Sequence, residues 1–103
     1  MDNSSKKNEL MDYSYVTKAS ECLKLLSHPV RIRIVEILSI GRFPVYEVAE
    51  LCGVAPNQAC EHLRMLKNHG LLKKERVGKT VFYKINSSQL ADLLNCIKKH
   101  CTD

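Results

Sequence analysis

The fold is decided by residues 45–72, which read VYEVAELCGVAPNQACEHLRMLKNHGLL. The first half of this stretch has apolar residues at three- and four-residue steps, namely Val45, Val48, Ala49 and Cys52. Such spacing predicts a short amphipathic helix, and Gly53 is suited to end it. The second half opens with Pro56, a favourable first residue of a helix, and its inward face carries Ala59, Leu63 and Leu66. Because about four residues with a glycine separate the two helices, the stretch predicts a helix-turn-helix.

Two more helices are predicted upstream of this motif. Apolar residues recur at helical spacing from Tyr15 to Leu26, and Pro29 then opens a second helix that ends near Ser39. Apolar side chains lie nearly all round this second helix. It is therefore expected to be the central helix of the domain, with neighbours covering most of its surface.

Downstream, residues 71–77 and 80–85 favour β-structure and flank a turn at Gly78 and Lys79, which predicts a β-hairpin. Asn86 or Ser87 can cap a last helix. The predicted fold class is mainly α with a small β-hairpin, an α+β winged helix-turn-helix in the order ααααββα. The polar, unpatterned residues 1–12 are predicted to form a mobile N-terminal arm, and residues 13–103 a single winged helix-turn-helix domain.

Positive charge is concentrated in the second half of the chain. Residues 56–84 contain seven basic and two acidic residues, a net charge of +5 that equals the net charge of all 103 residues. A local basic surface on an otherwise balanced domain is typical of proteins that bind a polyanion such as DNA. Membrane binding is not expected, because it calls for one basic amphipathic helix and these bases spread over a helix end and a hairpin.

The second helix of the motif presents polar side chains opposite its apolar stripe. Asn57, Gln58, Glu61 and Arg64 are predicted to face double-stranded DNA. Amide side chains match an adenine edge, a carboxylate accepts from cytosine N4, and a guanidinium forks onto guanine or holds a phosphate. An ordinary solvated helix face carries the same residue types, so both interpretations of this face stay open.

The basic hairpin that follows favours DNA binding. It can lie over the neighbouring DNA backbone as a wing, with Arg76 and Lys79 near its tip, beside Thr80, available for phosphate or minor-groove contacts. The other lysines of the hairpin are equally consistent with a solvated strand face. A winged helix used for protein binding is the alternative, and it needs neither a basic wing nor a polar helix face.

Neither catalysis nor secretion is indicated. The Cys and His residues lie on different predicted helices without a catalytic motif, so no enzymatic activity and no required cofactor are expected. The five cysteines form no CxxC pair, and thiols are the default state in a reducing cytosol. The N-terminus lacks the apolar stretch of a signal peptide, so a cytoplasmic protein is expected.

Four segments together resemble the ArsR/SmtB family of transcriptional repressors: SHPVRIRIVEIL at 27–38, the helix at 45–53, EHLRMLKNHGLL at 61–72 and GKTVFY at 78–83. The similarity extends from Val16 to Cys101. It implies a winged-helix homodimer joined by its first and last helices. Such a dimer represses an operon by occupying an imperfect inverted repeat in operator DNA and leaves it when an inducer binds.

Two positions bear on what the resemblance implies for DNA contacts. Arg31 matches by position a family arginine near the DNA backbone, with an ordinary surface charge as the alternative. The Ser or Thr that usually caps the family's recognition helix is replaced by Ala55, which precedes Pro56. This departure weakens one expected phosphate contact.

The residue pattern agrees with a dimer. The first and last predicted helices carry apolar stripes that one small domain has little else to cover: Tyr15, Ala19, Cys22 and Leu26, and Leu90, Leu94, Ile97 and Cys101. Mutual burial across a two-fold axis would cover both stripes, and the dimer would read two half-sites about one helical turn apart. Residues 13–103 would then serve both DNA binding and dimerisation.

The family's metal sensors suggest one kind of inducer. Their cysteine pair at the start of the third helix is absent here, because residues 43–48 read FPVYEV. A second family site uses carboxylates and histidines of the last helix, where this chain has Asp92, Cys96 and His100 as metal-ligand candidates for zinc, nickel or cobalt. The family's two-histidine pattern is missing, and an ordinary polar helix flank is the alternative.

Thiol chemistry is the preferred kind of inducer. Some members of the family sense persulfides or oxidants through cysteines on the second and last helices, and Cys101 matches the C-terminal one by position. The partner position on the second helix holds Glu36. Cys22 could instead pair with Cys96 or Cys101 if the first and last helices pack together. Burial of these thiols as small apolar side chains is the alternative.

Overall fold

The computed structural model describes residues 7–101. The elements in chain order are α1 (Tyr13–Leu26), α2 (Pro29–Ile40), β1 (Phe43–Pro44), α3 (Val45–Cys52), α4 (Pro56–Asn68), β2 (Leu72–Val77), β3 (Thr80–Ile85) and α5 (Ser88–Cys101). The predicted winged helix-turn-helix, with four helices, a hairpin and a last helix, is confirmed. Half of the predicted N-terminal arm and the last two residues of the predicted domain lie outside the described residues.

The sheet has one strand more than the sequence predicted. Strand β1 pairs antiparallel with β3, with Phe43 opposite Tyr83, so the sheet has three strands in the order β1-β3-β2. A two-residue strand that contains a proline is too short to show a two-residue periodicity, which explains why it was missed. The added strand ties the segment before α3 to the wing.

The hairpin and the helix ends follow the predicted turn residues. Val77 lies opposite Thr80, and Gly78 between them has a φ of 63°, a left-handed conformation that favours glycine. Of the two predicted caps for α5, Ser87 accepts from the Gln89 N–H at 3.3 Å. Asn86 instead donates through its side chain to the Gly70 carbonyl at 2.9 Å, which fixes the end of β3 to the start of the wing.

The hydrophobic core lies between the helix-turn-helix, α2 and the sheet. Its buried members are Ile34, Leu38, Val48, Leu63, Leu66, Leu72 and Tyr83. Four apolar residues of α2 are buried, namely Ile34, Val35, Ile37 and Leu38. Ile32 on the same helix is 44% exposed, so the coverage of α2 is incomplete at this position in the single chain. Cys52, expected in the core, is half-buried and packs against it.

Helices α1 and α5 leave an apolar surface uncovered. Neither helix contains a buried residue. Together with α2 they line an apolar groove of about 190 Å³, whose walls include Leu23, Leu26, Ile32, Leu90, Leu93 and Ile97. Between residues 7 and 101 no helix is both long enough and apolar enough to cross a membrane.

Candidate nucleic-acid interface

Helix α4 has one buried and one exposed face. Ala59, Leu63 and Leu66 are fully buried beneath it. The predicted DNA-facing residues Asn57, Gln58, Glu61 and Arg64 are all exposed on the other side. Because the core holds the apolar stripe, the polar side chains of this recognition helix have to face solvent or a partner.

The first turn of α4 is stabilised without a capping hydroxyl. Ala55 stands at the cap position, and its N–H donates to Oε1 of Gln58 at 3.3 Å. Pro56 at the first helical position removes one N–H that would otherwise lack a partner. Gln58 therefore stabilises the helix start in the free protein, a role that the sequence analysis did not assign to it.

Arg64 lies against a thiol of the same helix. Its Nη2 donates to Sγ of Cys60 at 3.5 Å, one helical turn earlier. The Cys60 side chain is half-buried, and this contact directs the guanidinium towards the N-terminal half of α4. The cation is thus placed beside the side chains predicted to read bases.

Arg31 at the start of α2 is bound to two other helices. Its Nε donates to Nδ1 of His62 on α4 at 3.1 Å, and its Nη1 donates to the carbonyl oxygen of Leu25 in α1 at 3.2 Å. The His28 ring lies 4.7 Å from the His62 ring. Burial lowers the pKa of His62, and the charge of Arg31 and the neighbouring His28 lower it further. Arg31 is therefore half-buried and oriented, which an isolated surface charge would not be.

The wing places two of its predicted contact residues in solvent. Arg76 and Lys79 are exposed near the tip, and Thr80 is half-buried at the start of β3. Lys73 and Lys74 are also exposed along β2. Two cations at the tip of a hairpin beside a recognition helix suit contacts with DNA phosphates.

A second part of the wing carries an ion-pair cluster around Glu75. Glu75 forms ion pairs with Lys84, at 2.9 Å, and with Arg42 from the segment before β1. The Lys84 contact in particular lowers the pKa of Glu75. The Arg42 guanidinium also lies 4.7 Å from the centre of the Phe82 ring. The sequence analysis missed Arg42, because nothing in its local pattern links it to residues more than 30 positions away.

The candidate sensing residues lie on α1 and α5. Cys22 is half-buried on α1, and Cys96 and Cys101 are exposed on α5, all as free thiols. Asp92 and His100 are exposed on α5 as well. Within residues 7–101 of one chain, no three His, Cys, Asp or Glu side chains lie close enough together to hold a metal ion.

Sequence comparisons agree with this geometry. Residues 26–75 match a family model described as a helix-turn-helix domain. The biofilm growth-associated repressor of Xylella fastidiosa is 31% identical over 80 residues, which cover 78% of this chain and 70% of that protein. The transcriptional regulator NmtR of Mycobacterium tuberculosis is 29% identical over 85 residues, which cover 82% of this chain and 71% of that protein.

Solved structures show the same fold. The crystal structure of the transcriptional repressor BigR from Xylella fastidiosa has a TM-score of 0.77 at 28% identity, covering 91% of this chain and 99% of that chain. A homodimeric winged helix-turn-helix DNA-binding domain from Mycobacterium bovis has a TM-score of 0.75 at 24% identity, with 84% and 80% of the two chains covered. Since a named repressor is similar over most of both chains and the recognition helix and wing are in place, this protein belongs to the ArsR/SmtB family of winged helix-turn-helix transcriptional repressors.

Proposed function

We propose that this chain acts as a homodimer that occupies an imperfect inverted repeat in operator DNA and leaves it when its thiols are oxidised. One observation carries the DNA-binding part: the core fixes the apolar stripe of α4 so that its polar face and the two cations at the wing tip are all exposed. Base edges and phosphates provide the hydrogen-bond partners that these side chains need.

The dimer is supported by the uncovered groove between α1, α2 and α5. Leu23, Leu93 and Ile97 are 55%, 43% and 48% exposed there in the single chain. A contiguous apolar surface of this kind is typical of an interface, and a two-fold axis lets the same surface cover itself. The homodimeric domain from Mycobacterium bovis has the same fold. A second copy of this chain is therefore the proposed occupant of the groove.

Oxidation of Cys22 with Cys96 or Cys101 is the proposed release step. Two thiols would lose two protons and two electrons to an oxidant, such as a peroxide or a polysulfide, and form one disulfide. The three cysteines lie on the two helices of the proposed interface, so a new covalent bond there would change how the two recognition helices are spaced. Helix α2 contains no cysteine, and Glu36, at the position of the family's second-helix thiol, pairs with Lys98 instead.

A mobility-shift assay with the reduced protein and its own upstream DNA tests this function. We expect a specific complex that is lost with peroxide or polysulfide and recovered with reductant. Loss with zinc alone, reversed by a chelator, would replace the thiol mechanism by a metal site at Asp92, Cys96 and His100. Absence of any specific complex at low salt would contradict operator binding and favour a protein-interaction module.

The dimer is tested separately by light scattering after size-exclusion chromatography. We expect Leu93→Glu to give monomers and to weaken operator binding, because it places a carboxylate in the apolar groove. Leu51→Glu is the matched control, since Leu51 is 56% exposed on α3 outside the groove. A dimeric Leu93→Glu variant would contradict the proposed interface.

A further inference from the structure

Arg31, His62 and Leu25 form one hydrogen-bonded group that joins α1, α2 and α4. A guanidinium has five N–H donors. His62 accepts the Nε–H and the Leu25 carbonyl accepts one Nη1–H, so three donors are left for an acceptor outside this group. The side chain is held from two sides and retains most of its hydrogen-bonding capacity.

This hydrogen-bonded group lies next to the exposed polar face of α4. Arg31, Glu61, Arg64 and Asn68 line one polar depression beside His62 on the outer side of α4. Phosphates of DNA docked on α4 would lie next to this depression. A planar guanidinium suits a phosphate because it donates two parallel hydrogen bonds to it.

The acceptor role of His62 requires the uncharged ring. Nδ1 can accept the Nε–H of Arg31 only while it carries no proton, and a charged ring beside Arg31 would also repel it. On the other side of His62, Nδ1 of His28 accepts from the Val30 N–H at 3.2 Å, so that nitrogen does not donate to His62. The hydrogen bond from Arg31 to His62 therefore requires that the His62 ring is uncharged.

We propose that His62 is a positioning residue, which in its uncharged form holds the guanidinium of Arg31 so that its remaining N–H donors bind a backbone phosphate of DNA. The inference rests on the operator binding proposed above and adds a pH dependence to it. Acidification protonates His62, removes the acceptor of Arg31 and lowers operator affinity.

The groups around His62 agree with a neutral ring near neutral pH. Burial, the Arg31 charge and His28 at the start of α2 all lower the pKa of His62, and Glu61 on its own helix acts in the opposite direction. The extra positive charge of a protonated ring would strengthen non-specific attraction to DNA. Affinity for the operator and for unrelated DNA therefore has to be measured in parallel.

Two variants of His62 distinguish the role of its hydrogen-bond acceptor from that of its titratable ring. In His62→Asn, Oδ1 stands the same number of bonds from Cβ as Nδ1 and preserves the acceptor without a titratable group. In His62→Leu, the acceptor is lost. Near neutral pH we expect His62→Asn to bind the operator within about twofold of the unmodified protein and His62→Leu to bind about tenfold more weakly. In an Arg31→Gln background, His62→Leu should add less than about twofold.

The pH profile is the readout that a purely structural role would not change. As the pH falls from about 7.5 to well below the ordinary histidine pKa of about 6.5, the unmodified protein should lose operator affinity relative to His62→Asn, because the pKa of His62 is lowered. A ratio of these two operator affinities that stays constant with pH would overturn the proposal. Operator binding by His62→Leu as tight as that of the unmodified protein would also overturn it. So would a loss from His62→Leu that is as large in the Arg31→Gln background as in the unmodified protein. No complex with the unmodified protein overturns operator binding and this inference together, whereas a normal complex with His62→Leu overturns this inference alone.

Discussion

The Lys98 ammonium of α5 lies 2.9 Å from the Glu36 carboxylate of α2. Glu36 also pairs with Arg33 on its own helix. The hydrogen bond from Lys98 is the main reason why the pKa of Glu36 is lowered. Since α5 contains no buried residue, this ion pair is one of the contacts that hold it against α2 in the single chain.

Replacing Glu36 by Gln should destabilise the protein only above the carboxyl pKa. A lowered pKa means that the charged form favours the folded state, so its contribution is present above the ordinary carboxyl pKa and is lost as the pH falls through the lowered value. We expect Glu36→Gln to cost about 0.5–1 kcal/mol of unfolding free energy near neutral pH and to cost less in acid. Urea unfolding at several pH values and one protein concentration measures this.

Glu50→Gln is the matched control for that experiment. Glu50 is an exposed carboxylate on α3, so its replacement should change the unfolding free energy by less than Glu36→Gln near neutral pH. A cost for Glu36→Gln that does not depend on pH would show that the charge of Glu36 is not what links α5 to α2.

Local patterns were sufficient to predict most of the fold. The turn at Gly78, the break at Gly53 and the stripe under α4 depend on near neighbours in sequence, so periodicity and turn residues reveal them. Strand β1 and the exposure of Ile32 were not predicted, because each depends on what distant segments cover. Short-range patterns carry no direct information about such packing.

The candidate site was predicted less completely. Exposure of Asn57 and Arg64 followed from helical geometry alone. The contact of Arg31 with His62 joins residues 31 positions apart. An arginine or a histidine in the sequence does not by itself predict such a distant partner. Gln58 was assigned to the DNA-facing surface, and its hydrogen bond to Ala55 emerged only with the backbone in place.

Alanine at Arg76 or Lys79 should reduce the salt dependence of operator binding. Each phosphate contact contributes about 0.9 to the slope of log affinity against log salt, so removing one contact from each half of a dimer should reduce the slope by about 1.8. Fluorescence anisotropy with labelled operator over a range of salt concentrations measures the slope.

The control for the wing is Lys99→Ala. Lys99 is an exposed cation in the last turn of α5, on neither the recognition helix nor the wing, and its removal should leave the slope unchanged. If Lys79→Ala weakens binding without changing the slope, Lys79 does not contact a phosphate.

Asn57 and Gln58 should give different results although both are exposed on the first turn of α4. Asn57→Ala is expected to lower operator affinity by about 1–3 kcal/mol and to leave binding to unrelated DNA unchanged, since a base contact is lost. Gln58→Ala should also lower the melting temperature, because Ala55 loses its hydrogen-bond acceptor. Asn95→Ala, an exposed asparagine on α5 away from the recognition helix, is the control and should leave operator affinity unchanged.

Cys52 should react slowly with alkylating reagents in the folded protein. Burial raises the pKa of its thiol, and the nearby charge of Arg33 opposes this only in part. The thiolate is the reactive form of cysteine. The alkylation rate of Cys52 should therefore begin to increase at a higher pH in the folded protein than in urea. Mass spectrometry of peptides from timed alkylation measures both profiles on the same residue. If the two profiles coincide, Cys52 is not buried against the core, and it then has to be added to Cys22, Cys96 and Cys101 as a thiol that an inducer can reach.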